Sequence, residues 1–165
     1  TPFAVVVDYA HTPDALESVY QTLSSANPKS EIRNPKLVCV LGAAGGGRDK
    51  WKRSEMGKIA GEYCQEVVFT SEDPDEEEPG QIASKMQSGI LNFEFRISKT
   101  RVILDRREAI RAALREAKPG DTVIITGMGP QPWFIAKGKK IPWDDREVVR
   151  KELGGLMPKG QRSKS

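Results

Sequence analysis

Apolar runs that alternate with helical patterns constrain the fold of this chain more than any other feature. Apolar residues spaced i, i+3, i+4 and i+7 predict helices that include residues 16–23, 56–63 and 110–117. Short apolar runs bounded by turn residues predict strands at 3–7, 37–41, 67–69, 102–104, 123–125 and 133–136. Repeated strand-helix units of this kind predict an α/β fold, with a mostly parallel sheet and helices on both faces.

A short turn near the end of the chain predicts an exception to the parallel arrangement. Lys137-Gly138 separates two short extended pieces, 133–136 and 139–142. A two-residue turn of this type joins antiparallel strands. We therefore expect an antiparallel strand or a hairpin near the C-terminus.

Helix-start signals agree with the predicted helices. Thr12 precedes a proline at the first predicted helical position, as N-cap residues do. Asp105 with Glu108, and Asp144 with Glu147, have the spacing of a capping box that uses aspartate. Two later helices are therefore expected to begin at these positions.

Length and composition predict one globular domain. With 165 residues, 38% of them apolar and 30% charged, the chain can form one core and is too short for two. We expect the domain at residues 1–154 and a flexible basic tail at 155–165, with a polar connector within 24–35. The start at Thr1, without a methionine, suggests a fragment of a longer chain.

The charge and the lack of long apolar runs exclude two classes of partner. The net charge of +3, from 26 basic and 23 acidic residues, is too small and too dispersed for a nucleic-acid interface. No run of about 18 apolar residues occurs, so we expect no membrane association. The two cysteines, Cys39 and Cys64, match neither metal-ligand spacing nor a disulfide framework. We therefore expect two packing residues in a protein of the reducing cytoplasm.

Candidate functional residues follow the predicted strands, where ligands bind in open α/β sheets. Asp8 and His11, the only histidine, follow the first strand. The second is followed by a glycine-rich segment, 42–47, and then by Arg48, Lys50 and other basic residues. Glycines permit a close approach of backbone to ligand and a helix start attracts anions, so an anion site is possible here. A structural turn with a solvated basic face is the alternative, and His11 and Asp8 likewise have ordinary surface and capping alternatives.

Two further junctions are acidic or glycine-containing. Residues 70–79 carry six carboxylates, among them Glu72, Asp73 and Asp75. The run at 76–78 is also what the start of a helix favours. Residues 126–131 include Gly127 and Gln131, and the glycines there are also compatible with a simple turn.

Several of these motifs together resemble the C-terminal domain of the Mur ligases, above all the type that adds the third residue of the peptidoglycan stem peptide. The similar segments are 8–16 (DYAHTPDAL), the glycine segment followed by RDK and KR at 48–53, LDRREAI at 104–110 and WDDRE at 143–147. They occur in the family's order and at compatible spacing, over about residues 1–153. The resemblance implies a Rossmann-like domain, and the six apolar runs predict a sheet of about six strands.

The resemblance also implies an activity. Mur ligases are ATP-dependent, amide-forming enzymes in which ATP and Mg²⁺ activate the carboxylate of UDP-MurNAc-L-Ala-D-Glu for attack by the amine of an amino acid. The partners implied are that nucleotide-sugar dipeptide, the amino acid and ATP, in the cytoplasm. The glycine segment is not a P-loop, because no Gly-Lys-Ser/Thr follows it. We therefore expect N-terminal and central domains, absent from this chain, to hold the phosphates and Mg²⁺, and we expect no catalytic or metal-binding residue in this domain.

Residue roles follow from the family by matching positions. Asp8 and His11 would approach the ribose and adenine of ATP, and Arg48 would hold the α-carboxylate of the amino acid. Lys50 and Lys52 are possible anion contacts. The family's Gly-Lys-Gly-His-Glu segment matches residues 127–131, which places Gly127 and Gln131 beside the amino acid. Here Met128, Pro130 and Gln131 depart from that pattern, and the loss of the family's glutamate carboxylate weakens any contact from Gln131 to an ammonium.

The acidic segment suggests which amino acid is added. Members that add meso-diaminopimelate carry Asp-Asn-Pro-Arg where this chain has Glu72-Asp73-Pro74-Asp75. Aspartate in place of that arginine would repel a distal carboxylate and attract a distal ammonium, so we expect lysine or another basic amino acid. Two alternatives stay open: a folylpolyglutamate-type or poly-amino-acid ligase of the same superfamily, and a stand-alone nucleotide-binding module.

Overall fold

The computed structural model describes residues 2–25, 35–47, 49–91 and 99–156. Strands and helices alternate through most of this length, as the periodicity predicts. In chain order the elements are β1 (Ala4–Val7), α1 (Pro13–Ser25), β2 (Leu37–Leu41), α2 (Trp51–Tyr63), β3 (Glu66–Phe69), α3 (Pro79–Ser88), β4 (Lys99–Val102), α4 (Arg106–Glu116), β5 (Thr122–Ile125), β6 (Trp133–Ala136), β7 (Lys139–Pro142) and α5 (Asp145–Leu156).

A five-stranded parallel sheet forms the centre, in the order β1-β5-β2-β3-β4. The chain runs outward from β2 to β4 and then returns to insert β5 between β1 and β2. All five strands point the same way, so the loops that follow them meet at one edge of the sheet. The α/β, Rossmann-like prediction is confirmed.

Helices cover both faces of the sheet and create two hydrophobic clusters. One cluster joins α1, α2 and α3 to alternate strand residues such as Leu41 and Phe69. The other joins α4 and α5 to the residues between them, such as Val40 and Val68. Strands buried on both faces read as continuous apolar runs, which is why β2 and β5 are recognisable in the sequence.

The fourth strand lies three residues earlier than the sequence predicts. β4 is an edge strand paired only with β3, and its residues Lys99 and Arg101 form ion pairs with Glu116 of α4. Val102, at its end, is 40% exposed. An edge strand of this kind is polar, so the apolar run that marks the central strands is missing.

The antiparallel hairpin near the C-terminus is confirmed. β6 and β7 pair with each other and stand apart from the main sheet. Asp75 bridges to Ala136 of β6, and the backbone N–H of Lys137 donates to the Asp75 carbonyl at 2.9 Å. The hairpin is thus attached to the loop that follows β3.

The predicted helix starts are found, with differences in the contacts of both proposed capping boxes. α1 begins at Pro13, directly after Thr12, and the Asp105 side chain accepts from the backbone N–H of Glu108 at 2.9 Å. The Glu108 carboxylate instead contacts Arg111. At the second proposed box, Asp144 Oδ1 accepts from the N–H of Arg146 at 2.8 Å, and the pKa of the Asp144 carboxyl is lowered mainly by the Arg146 side chain, with help from the N–H of Glu147.

The prediction of two unbonded cysteines is wrong. Cys39 of β2 and Cys64, directly after α2, form a disulfide, and both are fully buried. α2 packs on the face of β2 that carries Cys39, which places its end beside that strand with the two Cα atoms 6.2 Å apart. The two cysteines are 25 positions apart in the chain, and this spacing does not indicate that they lie close together in the fold.

Two predictions concern segments that lie mostly outside the described residues. Most of the polar connector at 24–35 and of the tail at 155–165 lies outside the described residues, and α5 continues to Leu156. Within the described ranges, no helix has the length and apolar character needed to cross a membrane.

Candidate functional site

Four loops meet at the carboxyl edge of the sheet, around the point where the strand order reverses. They are residues 8–12 after β1, here called the β1 loop, a glycine loop at 42–47 after β2, an acidic loop at 70–78 after β3, and residues 126–131 after β5, here called the β5 loop. Crevices of this kind at the switch point bind ligands in open α/β sheets. The edge therefore brings together residues that are far apart in the chain.

The glycine loop and the acidic loop are in direct contact. The N–H of Gly45 donates to the carbonyl of Asp73 at 2.9 Å. A Cβ atom at Gly45 would lie 1.9 Å from the carbonyl oxygen of Pro74, so only glycine fits there. Arg53 of α2 donates to both carboxylate oxygens of Glu77, at 2.9 and 3.0 Å.

A buried ion pair joins the acidic loop, the β5 loop and α5. Arg106 and Asp145 are both buried and share two hydrogen bonds, at 2.9 and 2.6 Å. The same guanidinium donates to the carbonyl oxygens of Ser71 at 3.2 Å and Thr126 at 2.9 Å. Trp143 Nε1 donates to Asp145 Oδ1 at 2.8 Å. These bonds hold two of the four loops in fixed positions relative to each other.

Glu72 is buried at the centre of this edge, with only 5% of its surface exposed. Its Oε2 atom has no hydrogen-bond partner within the described residues. It lies beneath Gly127, where φ is +107° and an added Cβ would be 2.0 Å from Oε2. Burial raises the pKa of the Glu72 carboxyl to about 7; Arg106 opposes this shift, and Asp73 and Asp145 add to it.

Asp73 connects the acidic loop to the hairpin. Its Oδ1 accepts from the N–H of Ile135 at 2.8 Å, and its Oδ2 accepts from the side-chain amide of Gln131 at 2.7 Å. Gln131 also donates to the carbonyl of Trp133 at 2.8 Å. Both predicted binding residues thus engage other protein groups in this structure.

Asp75 has a different setting from Asp73. It is half-buried, and no hydrogen bond or ion pair to its carboxylate occurs within the described residues. Its Oδ2 atom would be 3.7 Å from a Cβ at Gly46, so the carboxylate faces the glycine loop. Of the three acidic candidates, Asp75 is the one that is half-buried and has no side-chain partner among the described residues.

The β1 loop presents a carboxylate and two aromatic rings. Asp8 Oδ1 accepts from the N–H of Ala10 at 2.8 Å. His11 and Tyr9 lie in ring contact, with centroids 4.7 Å apart, and both are exposed. A cavity of about 340 Å³ lies between this loop, the glycine loop and α2, lined by His11, Thr12, Ala43, Ala44, Gly45, Asp49, Lys52, Arg53 and Met56.

Comparison with known proteins agrees with this arrangement. The family model described as Mur ligase, glutamate ligase domain matches residues 1–129, which is most of the chain. The chain belongs to the Mur ligase family. The family assignment made from the sequence motifs is confirmed.

Several relatives of this Mur ligase domain carry the name UDP-N-acetylmuramoyl-L-alanyl-D-glutamate--2,6-diaminopimelate ligase. The protein of that name from Syntrophomonas wolfei subsp. wolfei is 42% identical over 153 residues, which are 93% of this chain and 29% of that protein. The one from Aquifex aeolicus is 42% identical over 155 residues, 93% of this chain and 30% of that protein. A solved structure of the same name is 36% identical with a TM-score of 0.81, and covers 94% of this chain and 30% of its own. The chain thus spans about 30% of the length of the relatives it matches.

The structure brings most of the predicted site residues of this Mur ligase domain to one edge. Those that lie there are Asp8, His11, Lys50, Lys52, Glu72, Asp73, Asp75, Gly127 and Gln131. Arg48 lies outside the described residues. Lys52 forms an ion pair with Asp49 at 2.9 Å, and Lys50 lies 3.9 Å from Glu77. The ligand contacts of these residues stay predictions.

Sequence reasoning misses the polar groups that hold the loops together. The sequence pattern puts Arg53 in a basic cluster and Arg106 in a family motif, and it predicts burial for neither, yet both are 3% exposed. A usable signal exists, because each arginine occupies the apolar face of its helix. Arg53 precedes Met56 by three positions, and Arg106 precedes Ala109 by three. A charge on an apolar face needs a buried partner, which here is Glu77 or Asp145.

Proposed function

We propose that the chain is the C-terminal, amino-acid-binding domain of an ATP-dependent ligase of peptidoglycan synthesis. The full-length enzyme would add the third amino acid to UDP-MurNAc-L-Ala-D-Glu in the cytoplasm. The main support is the meeting of the glycine, acidic and β5 loops at the switch point of a Mur ligase fold. Relatives at 42% identity carry the name of a ligase of this type.

We propose that this domain contacts the nucleoside part of ATP through the β1 loop. Asp8 keeps one carboxylate oxygen for a ribose hydroxyl, and the exposed His11 and Tyr9 rings offer an edge or a face to the base. ATP supplies the phosphoryl group that activates the dipeptide carboxylate. The phosphates and Mg²⁺ are assigned to the other domains of the full-length protein.

We further propose that the amino acid carries a distal ammonium and no distal carboxylate, as lysine and ornithine do. Asp75 supports this choice, because its carboxylate faces the glycine loop and has no cationic partner among the described residues. A distal carboxylate at this place would meet a like charge. A hydrogen bond to a charged group contributes about 1.5 to 3 kcal/mol, which corresponds to a preference of roughly 10- to 150-fold.

Substrate-dependent release of ADP by the full-length protein tests this function. It is measured with UDP-MurNAc-L-Ala-D-Glu and, in turn, lysine, ornithine and meso-diaminopimelate, and the product is identified by its mass. We expect a larger kcat/KM for a basic amino acid than for diaminopimelate. The variant Asp75→Arg should reverse that order, whereas Glu78→Gln, in the same acidic loop, should leave it unchanged.

Two results would contradict different parts of the proposal. No ADP release with any amino acid would refute the ligase function. Equal or better use of diaminopimelate by the unmodified protein would refute the substrate choice and leave the ligase function standing. Because the relatives are named as diaminopimelate ligases, that second outcome is the sharper test.

A further inference from the structure

Two charged side chains outside the predicted binding set, Arg53 and Glu77, connect the glycine loop to the acidic loop. Arg53 lies in the first turn of α2 and is 3% exposed. Its guanidinium donates to both oxygens of Glu77, at 2.9 and 3.0 Å, and to the carbonyl of Ala44 at 3.2 Å. One buried cation therefore bonds to both loops.

Glu77 completes the connection from the opposite side. Its Oε1 atom also accepts from the backbone N–H of Gly47, at 2.7 Å. The hydrogen bond from Arg53 lowers the pKa of the Glu77 carboxyl to about 2, and the bond from this backbone N–H has the second-largest effect. The carboxylate is therefore ionised at neutral pH. Fixed, two-pronged bonds of this kind set geometry as well as energy.

The region joined in this way is the floor of the proposed amino acid site. Asp75 faces the glycine loop near Gly46, one residue before the N–H that Glu77 binds. We propose that Arg53 and Glu77 are positioning residues, which lock the glycine loop to the acidic loop so that the amino acid meets an assembled site. This inference rests on the proposed function for its ligand, but the lock itself is a property of the fold.

An assembled site has a specific kinetic consequence. When two loops are fixed before the ligand arrives, the free energy of binding does not have to offset the entropic cost of ordering them. Loosening them should therefore weaken binding of the amino acid and leave steps elsewhere in the enzyme alone. A purely structural role predicts something else, a loss of folded enzyme that lowers the rate with every substrate equally.

The first test compares KM values in the full-length protein. Glu77→Gln removes the ion pair. Arg53→Lys keeps the positive charge but cannot donate two parallel hydrogen bonds to Glu77. Glu78→Gln is the control, because it removes a charge one position along the chain. We expect Glu77→Gln to raise KM for the amino acid about 10- to 100-fold, with KM for ATP changed less than about twofold. The KM of Arg53→Lys for the amino acid should lie between those of Glu77→Gln and the unmodified protein, and the KM of Glu78→Gln should equal that of the unmodified protein. Unchanged KM values, or equal effects on amino acid and ATP, would overturn the proposal.

A second test does not depend on ligase activity. Hydrogen exchange measured by mass spectrometry on the full-length protein should show faster exchange in peptides covering residues 42–47 after Glu77→Gln. Peptides from α4, on the other face of the sheet, should exchange as before. If these rates are unchanged while ligation proceeds normally, the lock is refuted and the function stands. If exchange changes as expected but no ligation is found, the function is refuted and the lock stands.

Discussion

Individual charged residues at the sheet edge are distinguished by whether they have partners. Arg106 and Asp145 are buried together and joined by two hydrogen bonds, so each compensates the other. Glu72 lies close to this pair but accepts no bond at Oε2 from the described part of the chain. Since Asp145 already neutralises the guanidinium, a second ionised carboxylate would leave a net negative charge in a buried place. Burial is the main reason that the pKa of Glu72 is raised, and the charges of Asp73 and Asp145 add to the shift.

This raised pKa predicts how stability depends on pH. The carboxyl of Glu72 titrates near 7 in the folded chain and near 4.5 as an ordinary glutamate. The folded state therefore retains a proton that the unfolded state has lost, and the free energy of unfolding should fall as pH rises from about 5 through 7. The fall attributable to this group is at most about 3 kcal/mol. Glu72→Gln, which stays neutral, should flatten the dependence.

Urea unfolding of the 165-residue chain at pH 5, 6, 7 and 8 measures this effect. Glu78→Gln is the control, because it removes a less buried carboxylate from the same region of the chain. Equal pH slopes for the unmodified chain and Glu72→Gln would show that Glu72 is ionised throughout, and that the burial argument is wrong.

Among the secondary-structure elements, the central strands and the helices are predictable from the sequence, and the edge strand β4 is not. β2 and β5 are apolar on both faces, and the i, i+3, i+4 pattern identifies the helices that cover them. The apolar pattern misplaces β4, because an edge strand with Lys99 and Arg101 lacks an apolar run. The attachment of the hairpin through Asp73 and Asp75 depends on tertiary contacts between distant segments, and single-sequence patterns do not contain these.

The disulfide is a second case in which distance along the chain hides a contact between elements. It ties the middle of β2 to the end of α2 across a separation of 25 positions, and the glycine loop lies between its two cysteines. In the chain-entropy model, a loop of this size corresponds to about 3 kcal/mol of stability. The bond therefore contributes to holding α2, and with it Arg53, against the sheet.

Reduction of the disulfide should thus lower the free energy of unfolding by about 2 to 4 kcal/mol. The measurement is urea unfolding of the 165-residue chain with and without a phosphine reductant, with Cys64→Ala as the matched variant. The reductant should have no effect on Cys64→Ala, which has no bond to lose. Two free thiols in the purified, unreduced chain, found by thiol titration in denaturant, would contradict the presence of the bond.

For the whole molecule, the candidate site is predictable as a location but not as a set of contacts. The family motifs and the strand ends suffice to put Asp8, Glu72 and Gly127 at one edge of the sheet. They do not show that Asp73 and Gln131 bond to each other, because that pair joins the acidic loop to the β5 loop across 58 positions. Nor do they identify Glu77 as a partner of Arg53, since an acidic run in front of a helix has an ordinary explanation.

The division of the relatives into a matched and an unmatched part predicts what this chain does by itself. It covers about 30% of their length, and its glycine loop continues into Arg48-Asp49 instead of the Gly-Lys-Ser/Thr of a phosphate-binding loop. Without that loop, the proposed nucleoside contacts at Asp8 and His11 are what this domain would offer to ATP. We expect no detectable ATP turnover by residues 1–165, and a dissociation constant for ATP of about 1 mM or weaker, equivalent to about 4 kcal/mol.

Calorimetric titration measures the dissociation constant and a coupled ADP assay measures the turnover, with the full-length protein as the positive control. Turnover by the isolated chain at a rate near that of the full-length protein would show that the catalytic groups lie within this domain, and would end the assignment of phosphate binding to the rest of the protein.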